Sequence, residues 1–197
     1  MSEWWTYRPS DLLMFSEDTY YRLFELYNRD VWPLQIVASV FGVASLALIL
    51  LRNSRNGRVL STILAVAWTW VGWAFLLERY ATINWAAKYF AVAWFVQALL
   101  LGAVAAADAI EIPGLENWRT RTALALTALA VVLYPLIAPL AGRGWAQAEI
   151  FGMSPDPTAI ASLGIALFAR RIWVRGALMV IPAAWLLISG TTLWVLR

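Results

Sequence analysis

Four polar side chains, Thr69, Gln97, Tyr134 and Ser189, sit near the middle of long apolar runs. Polar groups at bilayer depth tend to face a bundle interior, so one from each of four helices suits a path or pocket for a small polar solute. The same groups also suit plain packing, because Ser and Thr bond their own backbone and an amide such as Gln97 joins two helices. A second set surrounds a tight hairpin at 81–85, where Glu78 and Arg79 come near Lys88. Trp73, Leu77 and Tyr80 share one helical face, and Phe90, Trp94 and Gln97 share another. Together they make an aromatic throat under a charged mouth, suited to small, flat or cationic solutes. Thirteen Trp in one apolar chain equally suit an interfacial belt and core packing. Asp108, Glu111 and Glu116 are carboxylates beside a span end, but with Arg119 and Arg121 nearby and no full metal motif they read as a solvated helix end.

The elements that must hold these residues are helices. Apolar runs cover Val31 to Leu51, Val59 to Leu77, Ala86 to Ala107, Thr122 to Ala141 and Ala177 to Leu196, each long enough to cross a bilayer core of about 30 Å. A sixth, Thr158 to Ala169, gives only about 18 Å of helix unless it continues through Arg170 and Arg171 to Val174 with those arginines snorkelling. Asp156 reads as its N-cap and Pro157 as its first helical residue. The 149–158 loop reads as an ordinary external loop in preference to one folded back into the bundle. The fold expected is all-α and polytopic, with about six transmembrane helices (31–197) behind an amphipathic N-terminal segment (1–30). In that segment Tyr20, Leu23, Phe24 and Tyr27 form one apolar stripe, and Asp18 with Arg22, and Glu25 with Arg29, are spaced to pair along the other side. Behind Trp4, Trp5 and Tyr7, the stripe fits either the headgroup layer or the end of the bundle.

Composition narrows the function classes. Of 197 residues 62% are hydrophobic and 14% charged, whereas a soluble domain carries about 25% charged residues. The net charge of +3 comes from arginines grouped beside apolar runs, which reads as a topology signal and not as a nucleic-acid surface. Arg52, Arg55 and Arg58, Arg119 and Arg121, and Arg170, Arg171 and Arg175 fall in alternate loops. By the positive-inside rule both termini are then non-cytoplasmic. Without Cys or His, disulfides, thiolate nucleophiles, the usual zinc sites and the commonest general base are excluded. No nucleophile and base stand together, so the chain is read as a non-enzyme without catalytic residues, metal or cofactor. The opening residues lack a basic stretch leading into an apolar one and read as mature sequence.

Glu3-Trp4-Trp5-Thr6-Tyr7, the stretch from Leu26-Tyr27-Asn28 to Val31-Trp32-Pro33, and Phe151-Gly152 with Pro155-Asp156-Pro157-Thr158 resemble a family of small bacterial membrane proteins. That family carries only a domain-of-unknown-function label and is sometimes loosely called a permease. The resemblance implies a multi-pass protein of the bacterial inner membrane and supplies no functional residues. The leading expectation is a homo-oligomeric channel or transporter for a small polar or cationic solute, with the bilayer as its main partner. The alternative is a non-catalytic membrane partner or scaffold subunit.

Overall fold

The computed structural model describes residues 15–196, so Trp4, Trp5, Tyr7 and the Glu3–Tyr7 motif lie outside the described residues. The described chain is helical and has no strands. Its helices are α1 (Glu17–Asp30), α2 (Leu34–Leu51), α3 (Asn56–Thr82), α4 (Ala87–Ala106), α5 (Trp118–Leu140), α6 (Pro155–Ala166) and α7 (Ile172–Leu196). Five of them, α2 to α5 and α7, are long and apolar enough to cross a membrane.

α1 starts where Ser16 accepts the amide of Thr19, with Glu17 and Asp18 in the first turn, where the helix dipole favours acids. Its expected stripe is the face that is buried: Tyr20, Leu23, Phe24 and Tyr27 pack into the protein. Phe24 stacks on Phe75 at 4.8 Å, and Tyr27 meets Phe75 edge-on at 5.4 Å. The Tyr27 hydroxyl donates to Met153 O and accepts Trp70 Nε1. The stripe therefore faces protein and caps one end of the bundle. Glu25 pairs with Arg29 as expected, at 2.6 Å, while Arg22 reaches forward to Glu25 at 2.8 Å.

Two of the long helices are irregular. Residues Val71–Leu77 of α3 and Leu129–Leu133 of α5 form wider π-helical turns, which in helices often sit at functional places. In α5 the widening ends at Tyr134-Pro135, where the proline offers no N–H to the preceding turn.

α6 is the main departure from the sequence reading. It stops at Ala166 and does not run on through Arg170 and Arg171. The chain then pairs in extended form with the loop after α4: Glu111 N donates to Phe168 O at 2.9 Å and Arg170 N to Ala109 O at 3.0 Å. Ten of its twelve residues are buried, enclosed by α3, α5 and α7. Bilayer length matters for a helix that faces lipid; a helix shielded by its neighbours escapes that requirement, and its end groups bond to protein. Gly164 allows this closeness, since a Cβ there would lie 3.0 Å from Ala123 O of α5.

The lead-in to α6 also corrects the expected external loop. Glu149, Phe151, Met153 and Ser154 are buried. Gly152, at φ +77°, turns the chain inward and donates its amide to Thr158 Oγ1 at 2.9 Å. Helix α6 begins at Pro155 with Ser154 as its N-cap, two residues earlier than the sequence suggests.

Candidate functional site

That shift of two residues frees Asp156 from capping. The second residue of a helix points its side chain sideways, and here the Asp156 carboxylate faces α5 and α7. Its Oδ1 accepts Trp185 Nε1 at 2.7 Å, and its Oδ2 accepts Ser189 Oγ at 2.7 Å and Tyr134 Oη at 2.9 Å. Asp156 is 3% exposed. All three side-chain donors are neutral. A buried carboxylate normally requires a cation or several strong donors, and this one has donors and the positive end of α6. Tyr134 lies six residues inside the end of α5 and Ser189 seven inside the end of α7, so the carboxylate sits about 9–11 Å below those helix ends. An ionisable side chain therefore lies among the helices.

Aromatic rings line the adjoining interior. Trp68 stacks on Trp94 at 3.8 Å; Trp185 meets Trp94 edge-on at 5.5 Å and Phe90 at 5.6 Å. Trp68 Nε1 donates to Ser162 Oγ at 2.7 Å, which fastens this row to α6. In the lead-in to α6, Glu149 is buried and its Oε2 has no partner. Burial pushes the Glu149 carboxyl well above the ordinary carboxylate range, the charge of Asp156 adds to this, and Arg143 opposes it. The Arg143 guanidinium lies 3.6 Å from the centre of the Tyr21 ring.

The eight residues of the expected solute path divide into two sets. Tyr134 and Ser189 meet at Asp156, and Trp94 lies one ring away through Trp185. Gln97 is fully buried and donates from Nε2 to Leu178 O at 2.9 Å. That carbonyl lies four residues before Pro182, which has no N–H to give it, so Gln97 substitutes for the missing backbone donor. The other four point away. Thr69 bonds its own helix at Ala65 O, Trp73 is 53% exposed, and Glu78 and Lys88 are exposed at the rim. Arg79 turns to Asp30 of α1 at 2.9 Å. Trp73 continues the outward stripe of Thr62, Val66 and Thr69 at ordinary helical spacing, so it points out of the bundle.

Sequence reasoning missed Asp156, Trp185 and Glu149 as site residues. A lone acid between two prolines at the head of an apolar run looks like a cap; the signal against it was Pro155, itself well suited to the first helical position.

These features define the class: an all-helical bundle with five helices apolar enough to cross a membrane, and a sixth, short one that carries a buried carboxylate into the interior. The chain belongs to a Family of unknown function (DUF6064), whose model matches residues 17–197. Searches of curated proteins and of solved structures gave no match.

Proposed function

We propose that the chain is a transporter or channel of the bacterial inner membrane for a small cationic solute, with Asp156 as the group that receives the positive charge. The observation that carries this reading is a carboxylate buried between helices whose three side-chain partners are neutral donors. Acids at such depth are costly and serve transport more often than packing. Trp185, Trp94 and Phe90 beside it add ring faces of the kind that attract organic cations. The arginine-rich end then faces the cytoplasm, and α1 with the end of α7 faces the other side.

The test is uptake of small cationic and neutral solutes into vesicles reconstituted with the protein, measured against empty vesicles. Uptake of a cation that Asp156→Asn abolishes, in a variant with unchanged helicity and melting, is expected. No flux above background for any solute, or full flux in Asp156→Asn, overturns the proposal. The tight packing of Trp68, Trp94 and Trp185 in the interior favours a second reading, a scaffold subunit without a passage. Absence of flux together with a stable complex with another membrane protein is its signature.

A further inference from the structure

The arginine-rich end of the bundle carries a second feature, unrelated to Asp156. Helices α4 and α7 part there to leave a lateral slot of about 530 Å³. Its walls are Leu100, Ala103, Val104 and Ala107 on one side and Val174, Ala177 and Leu178 on the other. Small alanines on both helices hold the slot open where larger side chains would fill it. Its charged groups, Asp108, Arg170 and Arg171, line it together with the exposed Trp173.

Two arginines against one carboxylate give the slot a net positive lining, which favours an anion. Asp108, the one carboxylate lining the slot, has Arg58 beside it at 3.8 Å in a loose, exposed pair. Arg170 contacts Glu111 at 3.4 Å, with both side chains more than half exposed. Such an exposed pair is held by less than about 1 kcal/mol and yields readily to a stronger acceptor. Arg171 is exposed. Two guanidiniums over a slot with apolar walls match a phosphate above a hydrocarbon chain, and Trp173 has the amphipathic ring that settles at the headgroup level. Basic pockets between helices at a cytoplasmic face are where anionic lipid headgroups are bound.

We infer that the α4/α7 slot is a binding site for one anionic phospholipid, its phosphate on Arg170 and Arg171 and one acyl chain along Ala103, Ala107 and Ala177. The inference rests on the membrane reading of the preceding subsection and not on transport. Delipidated protein in non-ionic detergent is titrated with short-chain phosphatidylglycerol, with phosphatidylcholine of equal chain length, and with inorganic phosphate, and bound lipid is counted by native mass spectrometry. Phosphatidylglycerol should bind at least tenfold more tightly than phosphatidylcholine, and phosphate alone should not compete at equal concentration. Arg170→Gln with Arg171→Gln should erase the preference. Ala177→Phe, which leaves both arginines in place, should block retention by filling the slot, and it covers the case in which the double variant does not fold. Equal binding of the two lipids, competition by free phosphate, or an unchanged preference in either folded variant overturns the site. Asp156→Asn should leave lipid binding intact, so loss of flux and loss of lipid report on separate claims.

Discussion

Gln97 gives the most discriminating energetic test. It donates at 2.9 Å to the Leu178 carbonyl that Pro182 leaves without a backbone partner. In Gln97→Leu that carbonyl becomes a buried acceptor with no donor, which costs about 1–3 kcal/mol. An offset exists: Gln97 Oε1 is already buried without a partner, and the substitution removes that penalty. Side-chain hydrogen bonds between membrane helices average about 0.6 kcal/mol and reach about 1.7. Together these place the expected loss at about 1 kcal/mol. In a Pro182→Ala background the residue at 182 regains an N–H for Leu178, so the same substitution should cost close to nothing. Reversible unfolding in mixed micelles of the parent, the two single variants and the double variant measures the coupling directly. An equal loss in both backgrounds refutes the idea that Gln97 replaces the backbone donor, and leaves it an ordinary packing residue.

Asp156→Leu strands two buried donors, Trp185 and Ser189, and the partly buried Tyr134, and should destabilise by several kcal/mol at about 1–3 each; Asp156→Asn should melt near the parent, because both hydroxyls can turn to accept from the new amide. Melting curves of the two variants decide this, and similar losses in both contradict it. Glu149 has a raised folded-state pKa, so between its unfolded value and that raised value the folded state holds the extra proton and stability falls as pH rises. Glu149→Gln should flatten that fall in melting temperature above about pH 4.3 and be the more stable form at neutral pH; a slope that persists unchanged assigns it to another group. Phe24→Ala should cost about 3–5 kcal/mol, because the ring is fully buried against Phe75; a loss near zero in thermal unfolding means that α1 does not dock on the bundle.

Much of the fold was legible because its signals are local. Length and hydropathy mark the five long helices, and the stripe of Tyr20, Leu23, Phe24 and Tyr27 marks the buried face of α1 at ordinary helical spacing. What stayed hidden depends on neighbours. Nothing within Thr158 to Ala169 states that a helix of this length is enclosed by three others, so it reads as a weak span. Trp73 shares one stripe of α3 with Thr62, Val66 and Thr69 at ordinary spacing, but which stripe of an apolar helix faces inward is set by its neighbours and not by its own residues. Tyr134 and Ser189 were legible as inward polar groups, but the acid that unites them was hidden by its resemblance to a cap.

The enclosure of α6 also constrains how the protein is made. A segment of twelve residues carrying an acid in its first turn is a poor substrate for stepwise insertion into lipid, whereas α3 and α5, two of its three walls, come earlier in the chain. The third wall is α7, synthesised after it. Until α7 arrives, Asp156 has no Trp185 or Ser189 to meet, so on the proposed membrane reading α6 is expected to enter together with α7, as a late, paired step of biogenesis. Chains cut after residue 171 should leave α6 on the side where α5 ends, and full-length chains should not, a difference that accessibility labelling at position 170 would detect and whose absence would mean that α6 inserts unaided.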